Sequence, residues 1–467
     1  MATCSFTALA RPTFDIAAAQ GFMEDARALL TDLNIDFVGF DKLVMTPEDA
    51  ISAAQFIQPD AKFHILLNAS FSDASAAMDL LGDALSPVLL WSVREFGAPG
   101  ERLLLNSLCG SNLAAHALRT VGKTISHVHG NPTEASTKAA FEAASRGIFP
   151  AIGEPEPILG ELADSAQVSG NLANLRGQTI GAIGDAPAGF TPCNYDADVL
   201  RHIFGVEISQ MSIEEIFSNI TAVSSNLAEA EYQSACEAQP SLREVNQEQA
   251  RINAKTSVAL DQWVSENNLR AIAMRCWPDF AVDLGACPCG AMSRSADRGT
   301  PSACERDVMG ALTMVLLEEL GSGTNYLVDT VDIDEDENLV RLWHCGSAAT
   351  SLAVDPNNAT QYTHCNRKLG VAGNFALKTG PVVLVRLDED STSPTKLRLF
   401  MTSGESISAD NRFQGNTATV RVQGSARKLV NGLITHGFPH HTVLAWNDVR
   451  PQIRRVAELL SIPLTEW

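Results

Sequence analysis

Lys62-Phe63-His64-Ile65-Leu66-Leu67-Asn68 is a short apolar run that reads as a strand, and it does not stand alone. Ile35-Asp36-Phe37-Val38-Gly39-Phe40, Val88-Leu89-Leu90-Trp91 and Leu103-Leu104-Leu105-Asn106 read the same way. Helix-like segments such as Ser72 to Leu85 and Ser111 to Val121 lie between them. Strands regularly separated by helices predict a parallel sheet, in which ligands meet the loops after strand ends. Cys109-Gly110-Ser111-Asn112 reads as one such loop, with Ser111 or Asn112 available to cap the helix that follows. This pattern fills residues 1–172, the expected N-terminal α/β domain.

Beyond it, residues 173–322 form a second expected α/β domain. Gly177 to Gly184 reads as a strand entering the Gly/Pro-rich loop Asp185 to Pro192. Its glycines do not make a GxGxxG fingerprint, so no dinucleotide site is expected. A long polar helical stretch, Ser224 to Asn267, precedes the buried strand Ala271 to Trp277. Residues 323–467 change character. Strands at Asn325 to Asp334 and Leu339 to His344 flank the turn Glu335-Asp336-Glu337-Asn338, and more follow at Pro381 to Leu387, Lys396 to Thr402 and Thr417 to Val422. The expectation is an antiparallel, barrel-like β domain. Two helices close it, one capped by Ser425 and one by Asn447 or Asp448.

Composition bounds the function. The 467 residues are 45% apolar and 19% charged, enough to build about three packed domains. Lys and Arg number 34 against 55 Asp and Glu, a net charge of −21, which disfavours nucleic acid and anionic membrane as partners. No apolar run reaches membrane-helix length, and Met1 to Phe14 does not read as an export signal. The ten cysteines are therefore expected as reduced thiols in the cytoplasm.

Unusual residues concentrate between Arg275 and Asp307. Arg275-Cys276-Trp277-Pro278-Asp279-Phe280 ends a buried strand with a cation, an indole and a carboxylate. Arg275 either binds a substrate group or pairs with Asp279. Ser302-x-x-Glu305 fits a capping box opening the apolar helix Val308 to Leu320. Asp329 sits on an apolar strand, where a charge needs a partner or a metal. Trp343 and His344 lie across the hairpin, and the register decides whether the imidazole shares a face with Asp329. His440-His441 stands at a strand entrance, where alternation would let at most one of them face a given site. Cys287, Cys289 and Cys304 suit small buried residues better than a zinc site, which would want a second paired knuckle. No GxSxG elbow is present.

Taken in order, several of these segments resemble the L-fucose isomerase family, relatives of L-arabinose isomerase. They are Arg275 to Phe280, Cys289-Gly290-Ala291-Met292-Ser293-Arg294, Ala303 to Met314, Leu342-Trp343-His344-Cys345-Gly346 and Gly437-Phe438-Pro439-His440-His441. The likeness is strongest from about Arg270 to Trp467 and weaker at Asn106 to Gly110 and Gly189 to Asp196. It implies two α/β domains and a β-rich C-terminal domain, homo-oligomers (trimers or hexamers), and a divalent metal, usually manganese. The implied ligands are a Glu at a helix start, an acidic residue 24 positions on, and a late His: here Glu305, Asp329 and, of the pair, His441. The arabinose enzymes add another His, for which His344 is the only nearby candidate, and His344 is otherwise expected among the residues around the sugar.

Family activity is aldose–ketose isomerisation through an enediol(ate), with Glu305 and Asp329 placed to shuttle the proton. Trp277, Trp343, Arg275 and His440 are expected around the sugar. Substrates in the family include deoxyhexoses, pentoses and, for some relatives, the sulfonated hexose sulfoquinovose. A sulfonate would want a cation, for which Arg275, Arg294 or Lys368 are available. The alternative function is a non-catalytic sugar-binding or regulatory protein on the same scaffold.

Overall fold

The computed structural model describes residues 4–155, 160–407 and 410–467. Met1 to Thr3, at the head of the segment read for an export signal, lie outside the described residues.

Five parallel strands make the first sheet: β1 (Cys4–Leu9), β2 (Phe37–Gly39), β3 (Phe63–Asn68), β4 (Val88–Ser92) and β5 (Ile125–His129), in the order β2-β1-β3-β4-β5. β1, β3 and β4 are buried along their whole length, which is why their sequences are nearly continuous apolar runs. The order reverses between β1 and β3, so the loops after these two strands diverge and leave a crevice. A second parallel sheet holds β6 (Thr179–Ile183), β7 (Glu207–Met211), β8 (Leu269–Met274) and β9 (Ser302–Cys304), ordered β7-β6-β8-β9. It has its own reversal between β6 and β8.

The C-terminal part supplies β10 (Tyr326–Asp334), β11 (Leu339–His344), β12 (Thr360–Thr363), β13 (Gly370–Ala376), β14 (Gly380–Glu389), β15 (Leu397–Ser406), β16 (Asn416–Val422), β17 (His441–Ala445) and β18 (Leu464–Glu466). Within this sheet β16-β11-β10-β17-β14-β15 run side by side, and a β15–β16 pairing returns to the start. Six antiparallel strands thus close into a barrel, as the sequence predicts. Two parallel-sheet α/β units and this β-rich unit are the expected fold class. Among the described residues, no helix is long and apolar enough to cross a membrane.

Several local expectations are corrected. Leu103 to Asn106 is not a strand. The backbone N–H groups of Leu104, Leu105 and Asn106 donate to the buried Glu95 carboxylate at 2.6–3.2 Å instead of to a neighbouring strand. The remaining strands of that sheet are β1 and β5, which the sequence reading passed over. Cys109 to Asn112 is not a loop, because the helix begins earlier and spans Ser107–Thr120. The stretch 224–267 breaks at Pro240 into helices Ser225–Ala238 and Gln247–Glu266. Ser302 does not cap a helix; it lies on β9, and Asp307 is the cap of helix Val308–Glu319, accepting from the Gly310 N–H at 2.7 Å.

Candidate active site

Both crevices and one end of the barrel open on the same cleft. Arg11 follows β1, Phe71 follows β3, Phe190 follows β6, Trp277 follows β8 and Glu305 follows β9; all line it. The barrel contributes Asp329, Trp343 and His344 to the same walls.

Glu305 is placed by a tight turn. It and Arg306 both have φ 59°, the left-handed region that costs a side-chain-bearing residue about 1–2 kcal/mol. Two such residues in succession reverse the chain between β9 and the helix, turning the Glu305 carboxylate into the cleft. Trp277 Nε1–H donates to Glu305 Oε1 at 2.9 Å, and Glu305 Oε2 faces His441 Nε2 at 3.2 Å and His440 Nε2 at 3.7 Å.

Asp329 pairs across the barrel with His441 on β17 and with Trp343 on β11. Directly opposed residues share a face, so the Asp329 and His441 side chains meet, with Oδ1 3.6 Å from Nε2. His344 lies on the far side of the pleat from Trp343. At the strand's end, however, its ring still comes within 5.4 Å of that of His441, centroid to centroid. The expectation that only one of His440 and His441 faces the site is overturned. β17 starts at His441, so His440 lies on the preceding turn, free of strand alternation, and the two rings lie 4.1 Å apart.

Asp307 completes the arrangement, and the sequence reading had missed it. Its fully buried carboxylate accepts from His441 Nδ1–H at 2.8 Å and from both terminal nitrogens of buried Arg386, at 2.5 and 3.0 Å. It fits against Gly310 so closely that a Cβ there would sit 2.7 Å from an Asp307 oxygen. With Nδ1 donating to Asp307, His441 turns its Nε2 toward Glu305 and Asp329. A carboxylate behind an imidazole in this way fixes the tautomer and orientation of a metal-ligating histidine. The signal was present: Arg386 is a lone charge in the apolar run Val382 to Leu387, as conspicuous as Asp329.

Electrostatics follow from this packing. Burial alone would depress the His441 imidazole, but its hydrogen bond to Asp307 and the nearby Glu305 and Asp329 carboxylates push it up to about 10. Glu305 is held well below the ordinary range; burial opposes this, and contacts with His440 and His441 prevail. Burial raises Asp329 to about 7, with Glu305 adding to the effect. Burial lowers His344 to about 3 and His440 to about 4.

The donor set fits a divalent cation. Asp329 Oδ1, His441 Nε2 and both His440 ring nitrogens are buried with no hydrogen-bond partner among the described residues. Glu305, His440 and His441 form one group of ligand atoms within 4.8 Å of one another, and Asp329, His344 and His441 form another. The 3.2 and 3.6 Å separations are close to the ~3 Å between neighbouring ligands of an ion bound at about 2.1 Å. Carboxylate oxygen and imidazole nitrogen together suit a divalent first-row metal.

The other expected residues divide. Trp277, Trp343, His344 and His440 line the cleft. Arg275 does not; its guanidinium makes a two-point pair with Asp279 at 2.7 and 3.3 Å. Arg294 is buried against Glu231. All ten cysteines are free. Cys289 and Cys304 each approach Cys345, and among the described residues no metal-capable group unites them with Cys287.

The crevices, the barrel end and the paired carboxylates form one polar site, and the relatives give its class, an aldose–ketose isomerase. The chain is 30% identical over 469 residues to the sulfoquinovose isomerase of Alkalicoccus urumqiensis, covering 100% of this chain and 99% of that protein. It is 30% identical over 465 residues to that of Priestia megaterium, 98% of each chain. With the sulfoquinovose isomerase of Clostridium sp. strain MSTE9 it shares 28% over 455 residues, 97% of this chain and 96% of the other. It belongs to the aldose–ketose isomerase family of these proteins. No family model matches the chain.

Proposed function

We propose that this isomerase converts sulfoquinovose, a hexose carrying a sulfonate at C6, to the corresponding 2-ketose, and that it does so with a bound divalent ion, manganese first among them. Glu305, Asp329 and His441 would hold the ion, with His344 or His440 completing the set. A divalent ion at that position polarises a carbonyl and acidifies an adjacent hydroxyl. The observation that carries the reading is the convergence of Glu305 and Asp329 on one imidazole nitrogen beside an open cleft.

In the open-chain aldose, a carboxylate removes the C2 proton, leaving an enediol(ate) across C1 and C2. Return of that proton to C1, with the O2 proton passing to O1, leaves the carbonyl at C2. Glu305 and Asp329 are the groups available for these transfers, and Trp277 orients Glu305 while its ring walls the sugar. Arg275, tied to Asp279, is proposed to steady the Trp277 loop and not to touch substrate. The likeness to L-fucose isomerases further supports a homo-oligomer, trimeric or hexameric. Ten free cysteines suit the reducing cytoplasm.

Purified protein, stripped with EDTA and reloaded with Mn²⁺, is to be assayed for ketose formation from sulfoquinovose. Stripping is expected to abolish turnover and Mn²⁺ to restore it. Glu305→Gln is expected to lower kcat at least ~10³-fold with unchanged circular dichroism. Full activity of the stripped enzyme would refute the metal, and sugar binding without turnover in the loaded enzyme would return the protein to a binding role.

A further inference from the structure

Two cations line the cleft with no close ion pair among the described residues. Arg11, on the loop after β1, places its guanidinium carbon 4.5 Å from the Trp277 ring centroid, and Arg367, on the loop between β12 and β13, places its own 5.2 Å from the same ring. Among the described residues neither makes an ion pair within 4.0 Å and neither guanidinium donates a hydrogen bond, Arg11 feeling Asp73 and Glu305 only at longer range, whereas the buried Arg294 and Arg386 are each matched to an acid. Like charges gathered in a partly dry cleft repel each other and lose hydration, a cost that a bound anion removes.

The loops are built to hold this position. The Arg11 N–H donates to Ser70 Oγ at 3.0 Å, tying its loop to the one after β3 across the crevice. The Arg367 N–H donates to His364 Nδ1 at 3.3 Å, as does the Asn366 N–H at 3.2 Å. A second argument is global. With a net charge of −21, the molecule repels an anionic substrate, so entry requires a local positive field at the cleft. One edge of the Trp277 indole holds Glu305 at 2.9 Å while Arg11 and Arg367 lie against its ring, so one side chain sets the carboxylate and both cations around the same cleft.

We infer that Arg11 and Arg367, set against the Trp277 ring, form the subsite that grips the anionic C6 substituent of the sugar. The inference rests on the proposed function above, and it assigns the cation role to residues other than Arg275, Arg294 and Lys368. Guanidinium groups present paired N–H donors that match the tetrahedral oxygens of a sulfonate, and phosphate offers the same chemistry.

The test compares the Mn²⁺-loaded wild type with Arg11→Gln and Arg367→Gln on three sugars: sulfoquinovose, glucose 6-phosphate and the neutral 6-deoxyglucose. Each Gln variant is expected to raise KM for sulfoquinovose by about 30-fold or more, with kcat/KM for 6-deoxyglucose changed less than about threefold. Equal losses on the charged and the neutral sugar would overturn the subsite. A wild type that favours glucose 6-phosphate, with both variants losing that preference, would overturn sulfonate as the anion. A wild type that turns over only neutral sugars would sink the substrate reading and the subsite together, while isomerase activity would remain. Where a Gln variant fails to fold, Arg11→Lys and Arg367→Lys carry the test: they are expected to keep about a tenth or more of the sulfoquinovose kcat/KM, and a loss as deep as on the neutral sugar would overturn it.

Discussion

At the residue scale, Asp307 is the group whose work is least direct and most exposed to test. It touches no part of the cleft, yet its two oxygens hold His441 and Arg386, so one carboxylate sets an imidazole's direction and neutralises a buried cation. Asp307→Asn keeps the shape and removes the charge. The metal concentration for half-maximal activity is expected to rise 10–100-fold, with activity rescued by excess Mn²⁺. Leaving Arg386 buried without a counter-charge is expected to lower stability by about 3 kcal/mol or more, read as a fall in melting temperature. A stability loss with unchanged metal dependence would leave Asp307 structural only. Asp329 stood out in the sequence because a charge on an apolar strand breaks the local pattern, whereas Glu305 fitted a capping box and came forward only through the resemblance to the L-fucose isomerases. Asp307 was hidden because an acidic residue ahead of an apolar helix is ordinary, and its partners lie far along the chain. Arg11 and Arg367 were hidden for the same reason: nothing near either of them in sequence marks the Trp277 ring on which they meet.

At the scale of elements, the strands buried on both faces were readable, and those that depend on remote partners were not. β5, Ile125-Ser126-His127-Val128-His129, carries two imidazoles and a hydroxyl, so its composition argues against a core strand. It becomes one because Ser92 on β4 bonds both rings at 2.9 Å. Leu103 to Asn106 is the converse, an apolar run that looks like a strand. Its ladder is replaced by a single side chain, Glu95, which satisfies the backbone donors of three consecutive residues and brings Asn106, at φ 50°, to the cleft wall. Glu95→Ala strips those donors of their acceptor in a buried place. The expected cost is about 2–4 kcal/mol, with faster amide exchange at residues 104–106 and a lower kcat/KM, because the wall loosens. Unchanged exchange at those amides would show that water or a neighbour takes over the role.

At the scale of the molecule, the proposed ligands come from the second sheet and the barrel and the cleft walls from all three units, so whatever joins the units sets the cleft. His127 is one such tie. Its Nε2 accepts from Ser92 O–H at 2.9 Å, and its Nδ1–H donates to Asn431 Oδ1 at 3.1 Å, linking the first sheet to helix Ala426–Thr435 beyond the barrel. The Ser92 contact needs the neutral ring, and burial, aided by neighbouring His129 and opposed by the Asn431 bond, lowers its pKa to about 3. A histidine near 6.5 when unfolded and near 3 when folded takes up its proton only on unfolding. Its contribution is therefore full above pH 6.5 and is lost as pH falls, at about 1.4 kcal/mol per unit. Glu95, raised to about 7 by burial, acts in the opposite sense over part of this range, so the wild-type curve alone does not isolate the histidine. The difference between wild type and His127→Gln does. At pH 7.5 the variant is expected to be less stable, having lost a tie between units. By pH 5 the gap should narrow by about 2 kcal/mol, measured by paired denaturation at both pH values. A gap that stays constant or widens on acidification would mean that His127 is already protonated in the folded protein, and that the first sheet is fastened to the C-terminal unit by some other contact.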